Sequence, residues 1–422
     1  MSERSEEFNG IDRVLANLLR SVDNLPSAVR AAAEAPVEQL LRIVKDRRHP
    51  RIMMFGRRGA GKSTLFNAIF SAPLRELGAY EAQTGSSVWR EYSFQGRTVE
   101  LIDTRGVQEG SKPVEEDSEN NALDSVLAAV EERCPDVILF LVKAKDVDSA
   151  IDGDLEALAK VHQAALKQHR VLDPDATVRI IPVLTQCDDL DPSDIRDMSA
   201  EDPEKIQNVR GAVGVLARHL RGNAYLREYM TPRPIPTVAT VYFDGDGKVN
   251  PRRDYRWNIE MLAVEIQEVI PDAARLEYVR AAQFRQVQLD FSRKMIVIFA
   301  AICGAVGVQP IPVADLPVIT GLQVTMVLVI AHIAGREISR KMAQDFFMGL
   351  GLNVGAGFVF REVARALAKF LPVAGNVVSG AVAAAGTKAV GEAAIRYYID
   401  KRPMNEVQQN LKSDMKKLGD DS

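Results

Sequence analysis

Between residues 51 and 241 the chain returns again and again to short runs dominated by apolar residues. They fall at 52–55, 98–102, 137–142, 180–184 and 237–241. A strand with one wet face would alternate apolar and polar positions. Runs apolar on both faces must instead be covered on both. The segments between them have the length and composition of helices, so the fold class is α/β with a mostly parallel central sheet. Gln95-Gly96, between the runs 89–94 and 97–102, is a hairpin signal that adds one antiparallel edge.

The flanks read differently. Residues 1–48 place Ile11, Val14, Leu15, Leu18 and Leu19 on one face of a helix near 11–22. Asn24-Leu25-Pro26-Ser27 breaks it, and Ser27 is the expected cap of a second helix reaching Arg47. Past 271 strand alternation stops and Ala, Gly and Val become frequent, which predicts an all-α domain that the N-terminal helices help to build. The stretch 274–294 contains no Gly or Pro and is expected to be one helix. The expected divisions are 1–48, 49–271, 272–400 and a polar tail, 401–422, that frays. At 46% hydrophobic and 26% charged residues the chain is a folded one. Its formal charge of −4 argues against nucleic acid as a partner. Cys134, Cys187 and Cys303 lie far apart and suit neither a zinc set nor a disulfide framework, and the polar start MSERSEEFNG is no signal peptide, so a cytoplasmic setting is expected.

One segment carries chemistry on its face. Gly56-Arg57-Arg58-Gly59-Ala60-Gly61-Lys62-Ser63 fits G-x-x-x-x-G-K-[ST], follows an expected strand and opens an expected helix at Thr64. Its glycines let backbone N–H groups close around phosphate oxygens, and the helix N-terminus adds its positive end. Lys62 is placed to face β- and γ-phosphates, and the Ser63 hydroxyl to hold Mg²⁺. Asp103, at the end of the run 98–102, can hold Mg²⁺ through its water shell, and Gly106 can offer an N–H to a γ-phosphate. Thr185-Gln186-Cys187-Asp188 follows the run 180–184. A carboxylate at Asp188 can accept both N1–H and N2–H of guanine. Adenine offers no such donor pair, so an ATPase is disfavoured.

Taken in order, these segments resemble the Era/TrmE-like branch of P-loop GTPases over residues 51–270, with GKSTLFNAIF as the most specific piece. The resemblance implies GTP/GDP and Mg²⁺ as ligands. It implies Thr84 as the switch threonine that reaches Mg²⁺ and the γ-phosphate, with Ser86 and Ser87 as rivals, and Ala239 as the N–H facing the base oxygen. Gln186 departs from the lysine usual in the family, and the missing charge bears on nucleotide affinity. Val107 follows Gly106 where a water-orienting glutamine could stand. Hydrolysis then needs another positioning group, K⁺, dimerisation or a partner. Arg58 is a candidate for stabilising transition-state charge; the simpler reading turns both Arg57 and Arg58 to solvent or to the second domain. His49, His162, His169, His219 and His332 show no metal spacing and are read as surface or packing residues.

The runs 295–308 and 316–335 form an apolar helical hairpin around Pro310-Ile311-Pro312, and 360–369 is amphipathic. Residues 293–398 resemble the C-terminal helical domain of YcjF-type proteins, which implies a membrane surface as a partner. A soluble bundle and a membrane-binding hairpin both satisfy the pattern. The expected function is a GTP-hydrolysing switch coupled to this helical domain; the alternative is a nucleotide-binding scaffold with negligible hydrolysis.

Overall fold

A computed structural model describes residues 3–73, 80–81, 89–102, 119–148, 151–308, 315–351 and 380–420. The chain divides into two compact units, one of Arg48–Ala282 and one of Met1–Arg47 with Gln283–Ser422. The first thus ends one helix later than residue 271, and the N-terminal and C-terminal helices fall in the same unit.

The first unit is built on a seven-stranded sheet in the order β2-β3-β4-β1-β5-β6-β7. Its strands are β1 (Arg51–Phe55), β2 (Tyr80–Glu81), β3 (Trp89–Phe94), β4 (Arg97–Ile102), β5 (Val137–Lys143), β6 (Arg179–Thr185) and β7 (Ile235–Pro236). β4, β1, β5, β6 and β7 run parallel, while β3 is antiparallel to both β2 and β4. Gln95 and Gly96 both take positive φ, 48° and 72°, the hairpin conformation that the dipeptide predicts. β5 and β6 are buried along almost their whole length, as strands covered on both faces must be.

The run 237–241 does not form a strand of this sheet. β7 stops at Pro236, and Thr237 turns both its N–H and its hydroxyl onto the Leu184 carbonyl, at 2.7 and 3.1 Å. Val238 pairs instead with Trp257, and a separate two-stranded sheet, β8 (Val241–Phe243) and β9 (Val249–Asp254), follows.

The second unit is helical throughout its described residues. α1 spans Glu3–Asp23. The expected helix from Ser27 to Arg47 is two: α2 (Ser27–Ala32) and α3 (Glu34–Val44). Pro36 explains the break, since its ring would meet the Ala32 carbonyl in a continuous helix. Ser27 is not a cap; Pro26 holds that position, and no side chain caps the helix. The expected helix 274–294 is also two, α10 (Asp272–Ala282) in the first unit and α11 (Arg285–Val308) in the second. Gln283 between them adopts φ 55°, and its side-chain amide donates to the Ile333 carbonyl at 3.3 Å. That hydrogen bond helps to hold a left-handed residue where neither Gly nor Pro signals a break.

α11 is long and apolar enough to cross a membrane, and most of its apolar stretch is buried. It packs against α12 (Asp315–Ile333) and, most extensively, against the helix Gly380–Ala394. The second contact is backbone-close: a Cβ on Gly380 would lie 2.6 Å from the Gly304 carbonyl oxygen, and one on Gly307 would lie 3.2 Å from the Gly380 Cα. Two buried polar side chains here are linked: the Gln323 amide donates to Thr387 Oγ1 at 3.0 Å, and Thr387 donates to the Ala383 carbonyl at 2.8 Å. The tail does not fray as a polar strand of chain. It forms the helix Met404–Asp420, with Val407 and Leu411 buried and Asp414 paired to Arg396 at 2.9 Å. The amphipathic stretch 360–369 and the turn 309–314 lie outside the described residues.

Candidate nucleotide site

The site lies at the carboxyl ends of β1, β5 and β6, where parallel sheets gather ligands. β1 leads into Gly56, and α4 (Lys62–Phe70) begins at the other end of the loop. Gly56 must be glycine, because a Cβ there would lie 2.5 Å from the Leu141 carbonyl oxygen on β5. Gly59 and Gly61 take φ of 75° and 84°, which keeps the loop curled over the start of α4. Lys62 folds back across this curl and donates to the Gly56 and Arg57 carbonyls at 2.7 and 3.0 Å. Ser63 and Thr64 are exposed on the first turn of α4.

β6 delivers the second segment. Thr185 is buried, and its hydroxyl lies 2.9 Å from the Ala60 carbonyl and 3.3 Å from that of Val142, tying the strand end to the phosphate loop. Gln186 adopts φ 57° and donates its amide to the Gly59 carbonyl at 2.7 Å. Its side chain therefore braces the loop through a neutral hydrogen bond. Asp188 sits in the short turn Cys187–Asp189 and is largely buried. Burial pushes its carboxyl above the usual carboxylate range. The Cys187 thiol beside it is buried, and that burial pushes it up to about 12. The Cys187 N–H donates to the Thr237 carbonyl at 3.3 Å, which brings the loop of half-buried Ala239 against the Asp188 turn.

Three charged residues complete the arrangement, none of them assigned there from sequence. Lys205, on α7 (Pro203–Gly222), is almost wholly buried and donates to the carbonyls of Asp188 and Pro192 at 2.6 and 3.0 Å, and also to that of Leu190. It fixes the chain that carries the Asp188 carboxylate. Asp202-Pro203 announces the start of α7, since Asp caps and Pro suits the first position, but nothing local says where its lysine will reach. Asp154, on α6 (Ile151–Leu172), pairs with Arg57 at 2.8 Å. Arg57 is thus held on the face of its own unit while its side chain stays partly exposed. Arg58 is exposed. Lys143 ends β5 beside the phosphate loop; its signal was a charge at the carboxyl end of an apolar run. Thr84, Asp103 and Gly106, with Ser86, Ser87 and Val107, lie outside the described residues. His162 is a packing residue, with ring nitrogens 2.7 Å from Tyr225 Oη and 2.8 Å from the Val178 carbonyl.

Residues 51–172 match the family model described as 50S ribosome-binding GTPase. Similar curated proteins are named GTPase Der. The one from Pseudomonas fluorescens (strain Pf-5) is 33% identical over 130 residues, covering 30% of this chain and 25% of that protein. The one from Chloroflexus aurantiacus (strain J-10-fl) is 31% identical over 114 residues, covering 27% and 25%. The chain spans about a quarter of the length of these relatives. Among solved structures, a dimerization-deficient mutant of Toc33 from Arabidopsis thaliana superposes with a TM-score of 0.33 at 15% identity, covering 61% of this chain and 95% of that one. Elongation factor SelB from Methanococcus maripaludis, in complex with a GTP analogue, superposes with a TM-score of 0.26 at 13% identity, covering 46% and 30%. The phosphate loop, the sheet around it and the matched family model together make this part of the chain a GTP-binding P-loop GTPase domain.

Proposed function

We propose that the chain is a GTP-hydrolysing switch of the Era/TrmE-like kind, whose nucleotide state is passed to the helical unit. The observation that carries this reading is the convergence of two segments far apart in sequence. Gln186 and Thr185 bond directly to the phosphate loop, so one connected surface presents a phosphate cradle and the Asp188 carboxylate.

In this reading the Asp188 carboxylate accepts the two N–H groups of guanine, and the Ala239 N–H faces the base oxygen. Lys62 exchanges the Gly56 and Arg57 carbonyls for β- and γ-phosphate oxygens. Mg²⁺ is a hard cation that seeks oxygen donors, and the exposed Ser63 hydroxyl beside Lys62 fits it. Bound there with help from Asp103 and Thr84, it would offset phosphate charge. In hydrolysis a water oxygen bonds to the γ-phosphorus, the bond to the β–γ bridging oxygen breaks, and the electron pair leaves on GDP. The Gly106 N–H would hold the γ-phosphate. Arg58 is free of any fixed role in the described geometry and remains the candidate for stabilising charge on the transferring group.

The second reading is a nucleotide-dependent scaffold with negligible hydrolysis, favoured by Gln186 and Val107. The helical unit is proposed to associate with a membrane surface through the hairpin of α11 and α12, in a cytoplasmic protein. A homodimer and K⁺ are the proposed routes to faster turnover. Phosphate release is measured for the full chain with and without K⁺ and anionic vesicles, against Lys62→Ala. Turnover that any of these raises, and that Lys62→Ala removes, supports the switch. GTP binding without turnover under every condition supports the scaffold.

A further inference from the structure

The nucleotide site as described leaves one charge unexplained. A guanosine di- or triphosphate is strongly anionic, and the loop that cradles it must offset that charge. Of the cations in the loop itself, Lys62 lies on the Gly56 and Arg57 carbonyls, Arg58 is exposed and Arg57 is already paired with Asp154; Gln186, on the neighbouring segment, braces Gly59 with no charge at all. The sheet register supplies another cation nearby. Lys143 is the residue directly opposite Thr185 in the parallel β5–β6 pair, so it ends its strand at the level where the Gln186 segment begins. Its side chain lies against the same glycine that Gln186 holds: a methyl group built on Gly59 would be 3.3 Å from Lys143 Nζ and 3.4 Å from its Cε. Among the described residues the ammonium is paired with Asp146 at 3.9 Å, and about a third of its side chain is exposed. At that distance and exposure the pair is weak and leaves the cation available to a stronger anion.

We infer that Lys143 is a nucleotide-affinity residue: from β5 it supplies the phosphate loop with the positive charge that Gln186 lacks. The division of labour is physical. Gln186 fixes the position of Gly59 through a hydrogen bond, and Lys143 sets the potential at the same point from the adjacent strand. A cation in a half-buried site acts through a lower effective dielectric than water, so one charge there has a measurable effect on an anionic ligand. This assignment rests on the loop binding a guanine nucleotide.

The test uses the full chain, fluorescent GDP and Mg²⁺, with melting midpoints recorded for every variant. Lys143→Gln is expected to weaken GDP by on the order of tenfold and to flatten the salt dependence of binding. Lys143→Arg keeps the charge and should stay within about twofold of the parent protein. Adding Gln186→Lys to Lys143→Gln returns a cation to Gly59 from the other strand and should recover most of the loss. Parent-like affinity in Lys143→Gln overturns the assignment. So does a double variant that melts like the parent yet regains nothing, because charge was then not what Lys143 supplied. A parent protein that binds no GDP would overturn the site itself, an outcome distinct from either.

Discussion

At the scale of single residues, Asp188 has the sharpest consequence. Burial raises its carboxyl above the ordinary range, whereas the two N–H groups of guanine favour the ionised form. If Asp188 reads the base as proposed, the binding-competent state is the one that burial disfavours. As pH falls through the value in the free protein, a proton must leave before guanine can bind, and affinity should drop by roughly tenfold per pH unit. Above that value it should be flat. Asp188→Asn should lose this dependence and prefer XTP to GTP, because an amide can donate to the xanthine carbonyl. Competition titrations at several pH values check both statements; an Asn variant that still prefers GTP would mean another group reads the base. The strand–loop–helix setting of the phosphate loop and the strand-end turn of Asp188 were legible because each is local, a strand followed by a turn. Lys143, Lys205 and Asp154 were not, because each acts on a segment brought near only by the sheet and its covering helices.

At the scale of elements, the apolar runs at 52–55, 98–102, 137–142 and 180–184 identified their strands, because burial on both faces leaves an unmistakable composition. The failures were at places where a tertiary contact overrides local preference. Gln283 ends a helix through a hydrogen bond fifty positions away, to Ile333. The tail folds because Val407 and Leu411 find a partner surface. Two elements yield quantitative tests. In α7, Lys205→Met would leave the buried carbonyl of Asp188 and the part-buried one of Pro192 without their donor, at a cost of about 1–3 kcal/mol. A lower denaturant midpoint at constant slope, together with weaker GDP binding, is expected; an unchanged midpoint would mean the clamp does not hold the turn. In the helical unit, Gly380→Ala forces a methyl group against the Gly304 carbonyl and Val308. Overpacking of this kind should destabilise that unit by about 1–3 kcal/mol. Faster hydrogen exchange in α11, with GDP affinity unaltered, is the expected result.

For the molecule as a whole, the chain path constrains how a switch could work. The nucleotide unit is inserted into the helical one, entered at Arg47–Arg48 and left at Ala282–Gln283. One exit is the break between α10 and α11, where Gln283 holds a left-handed conformation beside the Ile333 end of α12. A nucleotide can shift the helical unit only if GTP and GDP differ in affinity for two arrangements of the protein. We therefore expect peptides covering 283–335 to exchange hydrogen differently with a nonhydrolysable GTP analogue than with GDP. If the apolar hairpin is the membrane element, binding to anionic vesicles should follow the same nucleotide order. Substituting Gln283 by Gly removes the side-chain hydrogen bond to Ile333 yet permits the same backbone conformation. It should narrow the difference between the two nucleotide states without changing GDP affinity. Identical exchange across 283–335 in both states, while the peptide carrying Thr84 responds, would leave the helical unit a passive tether and confine the switch to the nucleotide unit.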